Sequence, residues 1–200
     1  MKKFIIFMFV LLFITLVFTG CNQNNLTDEE ISEILGTDKL PVEELSVLYA
    51  FDLLVLENVI GDVDYVFVAF VSNYLKTTYN EDIGDNFPTT YYEIEIIENI
   101  KGSLITNSKI QLLKSGGISK KNSSFQIYNG DFLPKVHSYY IFSVYAQPNG
   151  NILASGTNSN IYLDDISNYK NNSQYLDVIN AYHNQNVRDR KRNKSKYDTN

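Results

Sequence analysis

The sequence predicts a mainly β domain with flanking helices (α+β), arranged as a small closed barrel or sandwich of five or six strands. The stretch VDYVFVAFVSNYL, which begins at Val63, is a near-continuous apolar run, as in a strand buried on both faces. The stretch TTYYEIEIIENI, which begins at Thr89, alternates apolar and polar residues, as in a strand buried on one face. Pro148, Asn149 and Gly150 separate two further β-type stretches and favour a hairpin turn. Closing these strands into a barrel removes their exposed edges.

The remaining strands follow from the same patterns. In the second strand the alternation slips at Ile97–Glu98, where we expect a bulge. SKIQLLKSGG predicts a third strand that ends at paired glycines, and SSFQIYNGD predicts a short fourth strand. HSYYIFSVYAQ and NILASGTNSNIYL form the two arms of the hairpin. These segments place the β-barrel domain at residues 62–166.

Helical patterns flank this domain on both sides. We predict a helical lead-in over residues 41–61, where a short strand is the open alternative, and a C-terminal helix within 167–187, near Ser173–His183. The lead-in rests on Val47, Leu48, Phe51, Leu54 and Val55, and the C-terminal helix on Tyr175, Leu176, Ile179 and Tyr182.

The chain ends in a basic segment. The whole chain has 17 Lys and Arg against 23 Asp and Glu. In contrast, the stretch RDRKRNKSK, which begins at Arg188, has six basic residues and one acidic one. We predict that residues 188–200 form a disordered tail, serving either as a solubilising end or as a contact with anionic lipid headgroups or wall polymers.

The N-terminus has the layout of a secretory signal peptide. Lys2 and Lys3 precede an uncharged apolar run, Phe4 to Phe18, which is short for a membrane-spanning helix of about 20 residues. We therefore assign residues 1–20 to a signal peptide. An ordinary cleaved signal and an uncleaved anchor are the alternatives.

The end of this run, Phe18-Thr19-Gly20-Cys21, resembles a bacterial lipobox, although Leu is more usual than Phe at its first position. The resemblance implies a lipoprotein whose Cys21 carries a diacylglyceryl group and, with palmitate-type acylation, anchors the chain to the extracytoplasmic face of a cell membrane, most simply in a Gram-positive bacterium. Two or more acyl chains give stable anchoring, whereas one alone binds marginally. Residues 21–40 then form a lipid-anchored tether with one short helix, which begins with a capping box at Thr27.

Residues 62–163 carry a second resemblance. DYVFVAFV, ENIKGSL, LLKSGG and NGDFLPKVHSYYIFSVY resemble a set of uncharacterised extracytoplasmic proteins of Gram-positive bacteria. Their domains are similar to the OB-like barrels of netrin and metalloproteinase-inhibitor modules. The resemblance implies a small five- to six-stranded OB-like barrel and carries no chemical signature, so inhibitory activity is not carried over.

No catalytic motif is found, so we expect no enzyme and no cofactor. His137 and His183 lie far apart in the sequence and outside any zinc-ligand spacing, and Cys21 is the only cysteine. The expected function is a binding or interaction module for an unknown protein or an envelope polymer. The alternatives are an extracytoplasmic metal-assisted hydrolase and an envelope structural or stress protein without a small ligand.

Two groups of residues are candidate ligand contacts. Tyr91, Tyr128 and Tyr139 are candidate ligand-facing aromatics, because aromatic strand faces of OB-like barrels bind oligosaccharides or single-stranded nucleic acid. The acidity of the chain argues against nucleic acid. Glu81, Asp82 and Asp85 are weak candidate Ca²⁺ ligands, with a plain solvated loop as the alternative.

Overall fold

The computed structural model describes residues 41–79, 87–121 and 124–200. Cys21, the tether and the acidic candidates Glu81, Asp82 and Asp85 lie outside the described residues. The elements in chain order are β1 Val42–Leu45, α1 Leu56–Asp62, β2 Tyr65–Tyr79, β3 Pro88–Lys101, β4 Lys109–Ser115, β5 Gly117–Ile118, β6 Phe125–Tyr128, β7 Ser138–Ala146, β8 Ile152–Ala154, β9 Asn160–Leu163, a 3₁₀ turn Tyr169–Asn171 and α2 Ser173–His183. Within the described ranges, no helix is both long and apolar enough to cross a membrane.

Five strands close into a barrel in the order β2-β3-β4-β8-β7, with β7 pairing back onto β2. The β4–β8 pair is parallel and the other four pairs are antiparallel. Strand β9 extends the sheet beside β7. The predicted mainly β fold with an OB-like barrel is therefore confirmed.

The barrel can close with five strands because the strands are long and bent. Strand β2 pairs with β3 through several register shifts, and at one of them consecutive residues of β2, Val68 and Ala69, oppose Glu98 and Ile96. Ile97 is the extra residue of this bulge and is 43% exposed. The slip in alternation seen in the sequence thus lies at a bulge, which bends the strand around the barrel.

Two apolar cores explain the hydrophobic patterns. Alternate residues of each strand fill the barrel interior, for example Phe67 of β2 and Ile94 of β3. The intervening residues of β2, Val66 and Val68, pack against a second core formed with α1 and α2. Both faces of β2 are therefore buried at its start, which accounts for its near-continuous apolar run.

The segment 41–61 differs from the predicted helical lead-in. Val42–Leu45 is a strand that pairs in parallel with Phe125–Tyr128, and α1 begins only at Leu56. The apolar residues at helical spacing do not form a buried stripe, since Leu48 is fully exposed and Leu54 is 75% exposed. Helical spacing alone cannot show whether a surface exists to cover it, and pairing with β6 decides the local structure instead.

Helix α2 covers the outer face of β2 and β7. Its buried residues are Tyr175, Val178 and Ala181, whereas Leu176 is 51% exposed. The side chain of Asn172 caps the helix by accepting a hydrogen bond from the Gln174 N–H.

The C-terminal segment is not a disordered tail. Arg190 donates to the Asp64 carboxylate at 2.6 Å, and Arg192 donates to it at 3.1 Å. The same two guanidinium groups also bond the carbonyls of Gly61 and Asp62 at the end of α1. The Asp62 and Asp64 side chains are only 7% and 4% exposed, so they need cationic partners, and the arginines supply them.

After these arginines the chain crosses the end of the barrel at which β2 begins. The Tyr65 hydroxyl donates to the Asp198 carboxylate at 2.6 Å and accepts from the Ser195 N–H at 3.0 Å. Burial, followed by the bond to Asp198, raises the pKa of Tyr65 to about 12. Asp198 forms a bridge with Leu104, and Tyr197 packs against the interior core. Residues 188–200 therefore belong to the folded domain.

One ion pair lies within the barrel. Lys114 of β4 donates to the Asp131 carboxylate and, at 3.0 Å, to the Ser159 hydroxyl. The two charged side chains are 0% and 2% exposed. Asp131 also accepts from the backbone N–H groups of Phe132 and Gly156. Burial lowers the pKa of Lys114 and raises the pKa of Asp131, because desolvation penalises each charge. The pair joins β4 to the loops before β7 and after β8.

We expect Lys114→Met to lower the free energy of unfolding by about 3–5 kcal/mol, because it leaves the buried Asp131 carboxylate without its cation. The matched control is Lys109→Met, whose partner Glu93 forms an exposed ion pair worth less than about 1 kcal/mol. Urea unfolding followed by circular dichroism measures both. Equal losses in the two variants would contradict a structural role for the buried pair.

We expect the double variant Arg190→Ala/Arg192→Ala to lose roughly 2–4 kcal/mol of stability, because the Asp64 carboxylate and the carbonyls at the end of α1 lose their guanidinium donors. Lys191→Ala removes a neighbouring exposed charge and should stay within about 0.5 kcal/mol of the parent. The same urea titration reports both results. A disordered segment would give the two variants the same stability.

Candidate functional site

A cleft of about 610 Å³ crosses the outer face of the barrel. It lies where β2 ends and β3 begins, and it continues over β4 and β8 to the turn between β7 and β8. The described residues that line it are Thr78, Tyr79, Thr89, Tyr91, Leu113, Gln147, Pro148, Asn149 and Leu153.

The floor of the cleft follows from strand register. Tyr91 of β3 pairs with Leu113 of β4, and Leu113 pairs with Leu153 of β8. Because the next residue along each strand, for example Tyr92, points into the barrel, these three side chains share the outer face. They form an apolar row across three adjacent strands.

The amine of Lys76 contacts the Tyr91 end of this row. Lys76 of β2 pairs with Tyr91, and its Nζ lies 5.0 Å from the centroid of the Tyr91 ring. This cation–π contact fixes the ring over the outer face. Further along β3, Glu93 accepts from Lys109 at 2.6 Å, and this bond lowers the pKa of the Glu93 carboxyl. Lys76 and Glu93 are thus each engaged with another protein group.

The rims of the cleft are held by hydrogen bonds. The Tyr79 hydroxyl donates to the Ile118 carbonyl at 2.9 Å. On the other rim the Gly150 N–H donates to the Gln147 carbonyl, and Gly150 has φ +81°, a conformation that favours glycine. The C-terminal segment supports this turn, because the Lys196 N–H donates to the Gly150 carbonyl at 2.9 Å. Hydrogen bonds within the protein therefore hold both rims in place.

The chemistry of the lining is uncharged. The described residues of the cleft supply an aromatic face, two leucines and a set of hydroxyl and amide groups, with no acidic or basic side chain among them. Such a surface can stack against apolar faces of a ligand and hydrogen-bond its hydroxyl or amide groups. It is poorly suited to neutralising phosphates.

The three tyrosines singled out from the sequence do not come together. Tyr91 lines the cleft. Tyr128 lies on β6, stacked on Phe87 with ring centroids 4.5 Å apart. Tyr139 lies on β7, where its ring is 4.9 Å from that of Phe70 and packs against the helix-covered core.

Sequence reasoning missed Leu113, Leu153 and the Gln147–Asn149 rim. The Pro148-Asn149-Gly150 turn signal marks the rim, but only the pairing of β4 with β8 brings that turn beside Tyr91.

No potential catalytic cluster is seen in the part of the chain that the structure describes. Within it, no group of three or more His, Cys, Asp or Glu residues could hold a metal ion. His137 has φ +58° and stacks on Phe70, and His183 lies at the end of α2 beside Tyr182. The buried amine of Lys114 is occupied by Asp131 and Ser159.

Comparison with known proteins adds no relative to this description. No protein-family model matches the chain, and no curated protein matches it at a significant level.

Proposed function

We propose that the chain is an extracytoplasmic lipoprotein, anchored to the cell membrane through Cys21, whose OB-like barrel binds an uncharged oligosaccharide segment of an envelope polymer. The observation that carries the proposal is the row of Tyr91, Leu113 and Leu153, flanked by hydroxyl and amide groups, on the outer face of the barrel.

The match between cleft and ligand is chemical. A pyranose ring has an apolar C–H face that can stack on the Tyr91 ring, while its hydroxyls exchange hydrogen bonds with side chains such as Thr89 and Asn149. OB-fold barrels use this strand face and the adjoining loops for oligosaccharides and oligonucleotides. A volume of about 610 Å³ is in the usual range for a site of a few rings.

Electrostatics favour the oligosaccharide over a nucleic acid. The chain has a formal net charge of −6, and the described lining of the cleft includes no basic side chain. Binding of nucleic acid depends on Lys and Arg that neutralise phosphates. An uncharged ligand avoids this repulsion.

The proposed anchor leaves the cleft free to reach its ligand. Residues 22–41 separate Cys21 from β1, and an extended chain of that length spans at most about 70 Å. The barrel can therefore scan a wide zone above the membrane.

We expect Tyr91→Ala to weaken binding of a hexasaccharide about tenfold, because the ring supplies the stacking surface. Chitohexaose and cellohexaose serve as uncharged probes, and oligo-dT serves as the anionic comparison, in isothermal titration calorimetry. Tyr139→Ala is the matched control, since that ring packs against the second core. If neither hexasaccharide binds, or if the two variants bind alike, the cleft is not the proposed site.

We expect Cys21→Ser to block lipidation, so that the protein is released from membranes or accumulates as its unprocessed precursor. Membrane fractionation and intact-mass measurement of the expressed full chain test this. Serine keeps the size and polarity of the position, so loss of the acyl mass reports the anchor itself. A variant that stays in the membrane fraction with the parent's mature mass would rule out the lipoprotein assignment.

A further inference from the structure

A second groove, of about 380 Å³, shares no lining residue with the cleft. It runs between β9 and α2 on one side and the loop after β6 on the other. Its chemistry differs from that of the cleft, since it combines aromatic rings, aliphatic side chains and a carboxylate.

Two aromatic side chains of the groove are held on a common support. The ring of Tyr162 lies 5.5 Å from the ring of Tyr140, and the ring of Phe132 lies 6.2 Å from it. Tyr140 is 2% exposed, and its hydroxyl accepts from the Lys135 N–H at 2.9 Å. Tyr162 and Phe132 themselves stay 48% and 43% exposed. The supporting ring is therefore buried and hydrogen-bonded, and the two outer rings keep exposed surface at the groove.

Among the described residues that line the groove, Asp177 on α2 is the only charged one. Among the described residues its carboxylate has no hydrogen-bond or ion-pair partner. The buried carboxylates Asp64 and Asp131, in contrast, are paired with Arg or Lys. Asp177 therefore leaves an uncompensated negative charge beside the two aromatic rings.

We propose that this groove binds an organic cation, either a quaternary ammonium group or a protonated amine. The faces of Tyr162 and Phe132 attract the cation through their ring quadrupoles, and Asp177 supplies the opposite charge. Leu56 and Ile161 provide apolar contact for the methyl or methylene groups of the ligand. The acidic chain strengthens the attraction for any cation.

An anionic ligand does not fit this lining, because its described residues include no basic side chain. An uncharged ligand of the same shape would keep the apolar contacts and lose both electrostatic ones. This difference separates the proposal from simple hydrophobic filling of a groove.

The test compares choline with its uncharged isostere 3,3-dimethylbutan-1-ol, titrated by NMR into the full chain in detergent. Choline should bind saturably and at least about tenfold more tightly than the isostere. Butylamine, as a primary ammonium, should bind the same site and compete with choline. Equal affinity for choline and the isostere, or no saturable binding of choline, would overturn the proposal.

Variants locate the effect. Asp177→Asn should weaken choline binding about tenfold and leave the isostere unchanged, whereas Tyr162→Ala should weaken both. Tyr91→Ala, in the separate cleft, is the matched control and should bind choline as the parent does. Because Tyr162 and Asp177 are both exposed, we expect their variants to fold, and thermal unfolding checks this. Choline binding that responds to Tyr91→Ala and not to Asp177→Asn would contradict this site.

Discussion

The ion pair between Lys114 and Asp131 is the constraint on which the rest of the barrel depends. Two buried charges are tolerated where hydrogen bonds offset their desolvation, and this pair is bonded to Ser159, Phe132 and Gly156. Lys114 pairs with Ala154 beside the Leu113–Leu153 step of the cleft floor. Asp131 directly precedes Phe132 of the second groove. One buried interaction therefore positions parts of both proposed sites.

The two ends of the described chain are tied to this barrel by different means. The N-terminal end is held by backbone pairing of β1 with β6, and the side chains of β1 stay exposed. The C-terminal end is held by charge. Its arginines pair with the buried carboxylates of Asp62 and Asp64 and donate to the last carbonyls of α1. Since Cys21 is the sole cysteine of the chain, an internal disulfide is not available to replace either tie.

Sequence patterns predicted what depends on local periodicity. The alternation of β3 correctly places Tyr92 inside and Tyr91 outside, and its slip marks the bulge at Ile97. Periodicity could not reveal that residues 42–45 pair with a strand some eighty positions later, or that Tyr139 packs against the second core. The basic C-terminal segment was the largest difference, because composition reports charges and not their partners. Its partners, Asp62 and Asp64, lie more than 120 residues away.

This separation also has a consequence in time. Asp62 and Asp64 leave the ribosome, and on the proposed export route cross the membrane, long before the arginines that neutralise them. Until residues 188–192 arrive, Asp62 and Asp64 lack their cationic partners, although the Tyr145 hydroxyl and the Ala146 N–H can still donate to them. The carbonyls of Gly61 and Asp62 likewise lack their guanidinium donors. A chain that ends before Arg188 therefore carries every strand of the barrel and still lacks the cations that neutralise Asp62 and Asp64.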